Sequence, residues 1–193
     1  LHIEGDWSHA AFYLAAGAIG RGEIRLTGLD PHSAQGDRAM VEILRDMGAE
    51  IRWEGEALVS RASQLHGLRV DCAQVPDLVP ILAVTMAAAE DESRITGAAR
   101  LRIKESDRLS AMAAALTAAG ADVSELPDGL IILGGKRLHA AKIEGCNDHR
   151  IVMAMTMASE IADGELTITD AEATAKSAPA FWSEFEHLGG LAR

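Results

Sequence analysis

The chain has 193 residues, 48% of them apolar, and carries 18 basic against 29 acidic side chains for a formal net charge of −11. That balance excludes a general nucleic-acid binder, because no basic stripe is present to neutralise phosphates. No apolar run approaches the ~20 residues of a membrane span and no signal peptide is visible, so neither nucleic acid nor membrane is expected as a partner and a cytoplasmic location is expected.

Three similar stretches organise the chain. Asp6-Trp7-Ser8-His9 opens an Ala-rich apolar run to Ile19, followed by Gly22-Glu23-Ile24-Arg25-Leu26-Thr27-Gly28. Asp77-Leu78-Val79-Pro80 opens a run to Ala89, followed by Ser93-Arg94-Ile95-Thr96-Gly97. Asp148-His149-Arg150 opens the run from Ile151 to Ile161, followed by Gly164-Glu165-Leu166-Thr167-Ile168. The leading aspartates stand 71 and 71 residues apart. Each stretch reads as an Asp-capped helix that is apolar nearly all round, hence packed on several sides, and then a short strand.

A more amphipathic helix follows in each unit. The first covers about 37–47, with Met40, Ile43, Leu44 and Met47 on one face, and stops at Gly48. The second covers about 106–119, with Leu109, Met112, Ala113 and Leu116 inward, and stops at Gly120; the third covers about 179–188 and stops at Gly189-Gly190. Glycines of this kind end helices. Strand-like pairs come next at 50–53 with 57–59 and at 121–123 with 129–133, while the third unit has only Leu191-Ala192-Arg193 left. The expectation is an α+β lobe of repeated βαβαββ units with buried helices. The units span about 1–75, 76–146 and 147–193, the last incomplete. The short third unit and the opening at Leu1 both read as signs of a piece of a longer chain.

The repeat supplies its own control for function. Lys104-Glu105-Ser106-Asp107-Arg108 aligns with Ala34-Gln35-Gly36-Asp37-Arg38, so the Asp-Arg pair recurs and reads as a local ion pair, whereas Lys104 and Glu105 have no counterpart. Lys104, Arg108, Arg150 and Lys176 all fall at or near expected helix N-termini, where a cation opposes the helix dipole by roughly 0.3–1 kcal/mol. A bound anion held by free N–H groups and these cations would account for all four. Asp77 and Glu105 are candidates for acid and base work, with neither role assigned to either; helix capping is the structural alternative for Asp77, and an ion pair with Lys104 for Glu105. His149 follows a capping Asp and has no assigned role. Cys72 and Cys146 match no zinc or redox pattern and are expected to be buried free thiols, and no histidine has metal-ligand spacing, so no metal is expected.

At these residues the chain resembles the 3-phosphoshikimate 1-carboxyvinyltransferase, or EPSP synthase, family. The resemblance is carried by Pro76-Asp77, Lys104-Glu105-Ser106-Asp107-Arg108, Asn147-Asp148-His149-Arg150 and Thr174-Ala175-Lys176, together with the opening Gly5-Asp6-Trp7-Ser8-His9-Ala10-Ala11-Phe12-Tyr13-Leu14-Ala15. It implies the C-terminal lobe of a two-lobed enzyme, each lobe an inside-out prism of three βαβαββ units, with the active site between lobes. It implies transfer of the enolpyruvyl group of phosphoenolpyruvate to the 5-hydroxyl of shikimate-3-phosphate, with release of phosphate and no cofactor. By the same resemblance Asp77 would bind shikimate hydroxyls and accept a proton. Lys104 would contact shikimate-3-phosphate, Glu105 would protonate the methylene carbon, and Arg108, Arg150 and Lys176 would hold phosphoenolpyruvate. Arg100 stands where some members have Asn, so that contact is not carried over. The N-terminal lobe would be the remaining partner, and this piece alone would not turn over. Two other readings are an enolpyruvyl transferase acting on UDP-N-acetylglucosamine and a non-catalytic anion-binding module.

Overall fold

A computed structural model of the chain describes residues 3–193; Leu1 and His2 lie outside the described residues. The helices are α1 (Trp7–Ile19), α2 (Met40–Asp46), α3 (Val79–Ala88), α4 (Arg108–Ala118), α5 (His149–Met157) and α6 (Phe181–His187). The strands are β1 (Glu23–Leu26), β2 (Glu50–Glu54), β3 (Ala57–Arg61), β4 (Arg69–Asp71), β5 (Glu92–Thr96), β6 (Asp122–Leu126), β7 (Gly129–Leu133), β8 (Leu138–Ile143) and β9 (Ala162–Ile168). The α+β class expected from the sequence is the class observed.

The three uniformly apolar runs become α1, α3 and α5, which pack on one another at the centre. Each is backed by strands: α1 by β1 and β3, α3 by β5 and β7, α5 by β9. Nine of the ten residues of α3 are buried, including Thr85, whose hydroxyl donates to the Ile81 carbonyl at 2.9 Å. Thr156 of α5 does the same toward Val152 at 2.8 Å. A helix closed in on all sides can tolerate a polar side chain only when that side chain satisfies itself on its own backbone. Small residues set the approach of α1 to β3. A Cβ at Gly17 would stand 2.9 Å from the Ser60 carbonyl oxygen, and the Ser60 hydroxyl donates to the Leu14 carbonyl at 2.7 Å.

Capping holds for two of the three aspartates. Asp6 accepts from the N–H groups of Ser8 and His9, and Asp148 from that of Arg150. Asp77 does not cap. It lies inside a 3-10 turn, Pro76–Leu78, ahead of α3, and its side chain makes no cap hydrogen bond. A cap at Asp77 would draw on the N–H groups two and three residues on, and Pro80 has none to give. The Asp77 carboxylate is thereby left free for other partners.

Sheet pairing links each amphipathic helix to its neighbours. The first sheet runs β1-β3-β2, all antiparallel; the second runs β4-β5-β7-β6; the third pairs β8 with β9. β4 lies parallel to β5 across α3, and β8 parallel to β9 across α5, as a helical crossover requires. Neither β4 nor β8 stands out in the sequence. β4 is three residues long, and β8 carries His139, Ala140, Ala141 and Lys142 with a register shift between His139 and Ala141. Both precede the unit boundaries expected at 76 and 147 yet pair forward, into the sheet that follows.

Met40, Leu44 and Met47 of the first amphipathic segment, and Leu109, Met112 and Leu116 of the second, are fully buried as expected. On the outer face of the first sheet Arg25, Arg52 and Arg61 interleave with Glu23, Glu50 and Glu54, and hydrogen bonds from all three arginines hold Glu54 down to about 2. Both cysteines are free, but only Cys72 is buried; burial, with Asp71 and Asp37 nearby, pushes its thiol up to about 12. Cys146, expected to be buried, is exposed. It sits in the loop before α5 with φ of 54°, and this turn carries its side chain outward. No helix of the described residues is long and apolar enough to cross a membrane.

Candidate active site

The site is assembled from the turn at Pro76–Leu78, the segment 104–107 ahead of α4, and the N-terminal turn of α5. At its centre is Arg108, the first residue of α4 and only 1% exposed. Its Nε donates to Asp148 Oδ2 at 2.8 Å and its Nη2 to Asp148 Oδ1 at 3.2 Å. Nη1 donates to Asp77 Oδ1 at 3.0 Å and Nη2 also to Glu105 Oε2 at 2.7 Å. One planar guanidinium therefore organises three carboxylates, a task for which the fixed fork of arginine is suited and lysine is not.

Asp148 is the buried anchor, 0% exposed, and also accepts from Ser106 Oγ at 2.9 Å and the Arg150 N–H at 3.0 Å. Burial works against its charge, but the Arg108 bonds and charge outweigh it and hold the carboxyl below the ordinary carboxylate range. The expected ion pair inside each Asp-Arg dipeptide is not made. Asp107 caps α4 and bonds Arg102 at 3.0 Å, while Asp37 accepts from the Ser8 hydroxyl and Arg38 donates to the Ser33 carbonyl. Adjacent residues in a helical turn do not face each other, so each found its partner elsewhere.

Asp77 and Glu105 differ from Asp148 in being open to solvent, with side chains 33% and 41% exposed. Asp77 is ringed by cations. Besides Arg108, Lys104 Nζ stands 3.7 Å from Oδ1, and Arg150 Nη2 stands 3.7 Å from Oδ2 while its Nη1 donates to the Asp77 carbonyl at 3.1 Å. Lys104 thus turns toward Asp77 and not toward its neighbour Glu105. Glu105 places Oε2 on Arg108 and leaves Oε1 facing His149 Nδ1 at 3.8 Å. Burial, then the charges of Arg150 and Arg108, push the His149 imidazole below its ordinary value.

Five of the residues singled out from the sequence, Asp77, Lys104, Glu105, Arg108 and Arg150, are therefore brought together, with His149 at their edge. Lys176 is set apart. It ends a 3-10 segment, Ala171–Lys176, well short of α6, and its ammonium is held by the backbone and side-chain oxygens of Asn147. Asn147 is the neighbour of Asp148 in the chain, so these bonds tie Lys176 to the edge of the cluster. Arg100 donates to the Ala73 carbonyl at 2.5 Å. The sequence reading missed Asp148 and Ser106 as site residues, since a capping aspartate and a serine next to a helix start are ordinary there. It also missed Asp37: burial raises this carboxyl, Arg150 lowers it, and Asp77 and Asp6 raise it further, so a residue of the first unit shares the field of the second and third.

The cluster is an open wall, not an enclosed pocket. The cleft of about 550 Å³ between α1, β1 and α6 and the groove of about 830 Å³ beside β9 are lined by other residues. Chemically the wall offers two accessible carboxylates held in fixed orientation, and two accessible or near-accessible cations, Lys104 and Arg150, beside one of them. That combination can fix an anion and exchange protons next to it.

Residues 1–185 match the family profile of EPSP synthase (3-phosphoshikimate 1-carboxyvinyltransferase). The chain belongs to the EPSP synthase family. It is 46% identical over 188 residues to the 3-phosphoshikimate 1-carboxyvinyltransferase of Clostridium acetobutylicum, covering 97% of this chain and 43% of the relative. Against the Halobacterium salinarum protein of the same name it is 44% identical over 195 residues, covering 98% and 44%. The solved EPSP synthase of Acinetobacter baumannii superimposes with a TM-score of 0.83 at 33% identity, over 98% of this chain and 47% of that one. The enolpyruvyl transferase NikO of Streptomyces tendae shares the fold, with a TM-score of 0.81 at 18% identity. The chain thus spans under half the length of the relatives it matches.

Proposed function

We propose that this chain supplies one wall of an active site that transfers the enolpyruvyl group of phosphoenolpyruvate to the 5-hydroxyl of shikimate-3-phosphate and releases phosphate. One observation carries the reading: a single buried arginine holds two solvent-accessible carboxylates, Asp77 and Glu105, with Lys104 and Arg150 against the first. Family membership supports the reaction class. In this reading Glu105 protonates the methylene carbon, which makes the adjacent carbon electrophilic. Asp77 takes the proton of the attacking hydroxyl, and the Glu105 carboxylate takes a proton back from the methyl so formed as phosphate leaves. Lys104, Arg150 and Lys176 offset the charge of carboxylate and leaving phosphate. Arg108 takes a different part from the one the resemblance implies. With four of its five N–H groups already engaged, it orients Asp77 and Glu105 first and has one N–H, on Nη1, left for a substrate anion.

The same reading takes the three units, about 1–75, 76–146 and 147–193, as one lobe, and the other wall as the part of the family's length that this chain does not span. Ile103, 86% exposed directly before Lys104, suits a surface that another lobe covers. Phosphorylated substrates do not cross membranes unaided, which favours a cytoplasmic location.

Two assays test the proposal. Incubated alone with phosphoenolpyruvate and shikimate-3-phosphate, the chain is expected to release no phosphate above background. Joined to the N-terminal part of the Clostridium acetobutylicum relative, it is expected to release phosphate when shikimate-3-phosphate is the acceptor and none with UDP-N-acetylglucosamine. Turnover with the second acceptor, or by the chain alone, contradicts the reading.

A further inference from the structure

Glu105 is gripped on one side only. Its Oε2 accepts a bond of 2.7 Å from Arg108 Nη2. Its other oxygen, Oε1, faces His149 Nδ1 at 3.8 Å, and that nitrogen is buried with no hydrogen-bond partner. The side chain is 10% exposed, and the residue holds the first position of α5 behind the capping Asp148, so its backbone is fixed. An orphaned buried ring nitrogen next to the free oxygen of the proposed acid is the one unsatisfied polar atom at the wall among the described residues.

We infer that His149 is the positioning residue for Glu105, its Nδ1 holding Oε1 in place as the oxygen that carries the proton. The inference rests on the reading of Glu105 as proton donor. A closure of about 1 Å brings the two atoms from 3.8 Å into hydrogen-bond range. In the neutral imidazole with its proton on Nε2, Nδ1 can accept the O–H of a protonated Glu105. When that proton moves from Oε1 to the methylene carbon, the carboxylate left behind is stabilised by Arg108 on Oε2. The groups that face His149 are Asp148 and Arg150 on its own helix, Arg108 on α4, and Glu105. The two acids raise and the two arginines lower its proton affinity, so the ring is sensitive to the state of Glu105.

Two experiments decide the matter independently. In this chain, the imidazole resonances of His149 are followed by NMR against pH in wild type and in Glu105→Gln. The titration is expected to move to lower pH by roughly half a unit or more when the acid is removed; an unmoved titration in a folded variant overturns the inference. In the chimera with the Clostridium acetobutylicum N-terminal part, His149→Leu is expected to lower kcat about 10–100-fold with KM within about threefold, the split expected for a group that acts on the proton donor. His149→Asn, whose amide reaches the place of Nδ1, is expected to restore most of the loss. Equal loss in Leu and Asn, or a change in KM alone, overturns the inference. A wild-type chimera without turnover counts against the proposed function, and the NMR titration then still decides the role of His149.

Discussion

Glu105→Gln in the chimera is expected to lower kcat by about 10²–10⁴-fold, the contribution typical of a positioned general acid. The amide keeps the size of the carboxyl and can still meet Arg108 with its oxygen, so packing and substrate affinity should hold. What it lacks is a transferable proton at the position of Oε1. A decline of kcat and kcat/KM together identifies an interaction made in the transition state; a rise in KM at constant kcat would show that Glu105 only binds. Asp77→Asn should behave differently, because Asp77 lies among Lys104, Arg108 and Arg150. Neutralising it removes the carboxylate that balances three cations.

Asp148→Ala is expected to destabilise the chain by about 3–5 kcal/mol, the range for removing one partner of a buried ion pair. Four hydrogen bonds go at once: two from Arg108, one from Ser106 and the cap bond from Arg150 N–H. Arg108 stays buried with only Asp77 and Glu105 to balance it, and these are the proposed proton acceptor and donor. Urea unfolding followed by circular dichroism should show a lower midpoint at unchanged slope. The pH dependence has a definite sign. The Asp148 carboxyl is held below its unfolded value, so its contribution is fully present above the ordinary aspartate range and is lost as pH falls through the depressed folded value. The difference between wild type and Asp148→Asn should shrink over that acidic window. A constant difference down to strongly acid pH would show that the charge of Asp148 contributes nothing.

The sequence carried the centre of the fold well and its margins poorly. The apolar runs of α1, α3 and α5 could bury their surface only against one another and a sheet, so their place was forced. β4 and β8 were illegible because a three-residue strand, and one holding Ala140-Ala141, have too few alternating apolar positions to show a period. At the site, Lys104 and Glu105 were marked by having no counterpart in the first unit, whereas Asp77 stood level with the capping aspartates Asp6 and Asp148, and only the structure separates it from them. Asp148 was hidden for the opposite reason. It does cap α5, and nothing local to residue 148 reveals that an arginine 40 residues earlier is buried against it. Arg108 was read as holding substrate, and its partners within the chain, Asp148, Asp77 and Glu105, were not visible from its position.

The central claim is that this wall adds a proton to the methylene carbon of an enolpyruvyl group and takes one back. Proton addition makes that carbon a methyl, and its return to methylene removes any one of three hydrogens. Turnover of the chimera in deuterium oxide, read by proton NMR of the product, is therefore the most direct measurement. The account predicts deuterium in the product methylene of the wild type and its loss along with turnover in Glu105→Gln. Product formed without methylene deuterium, or incorporation undiminished by Glu105→Gln, would contradict it.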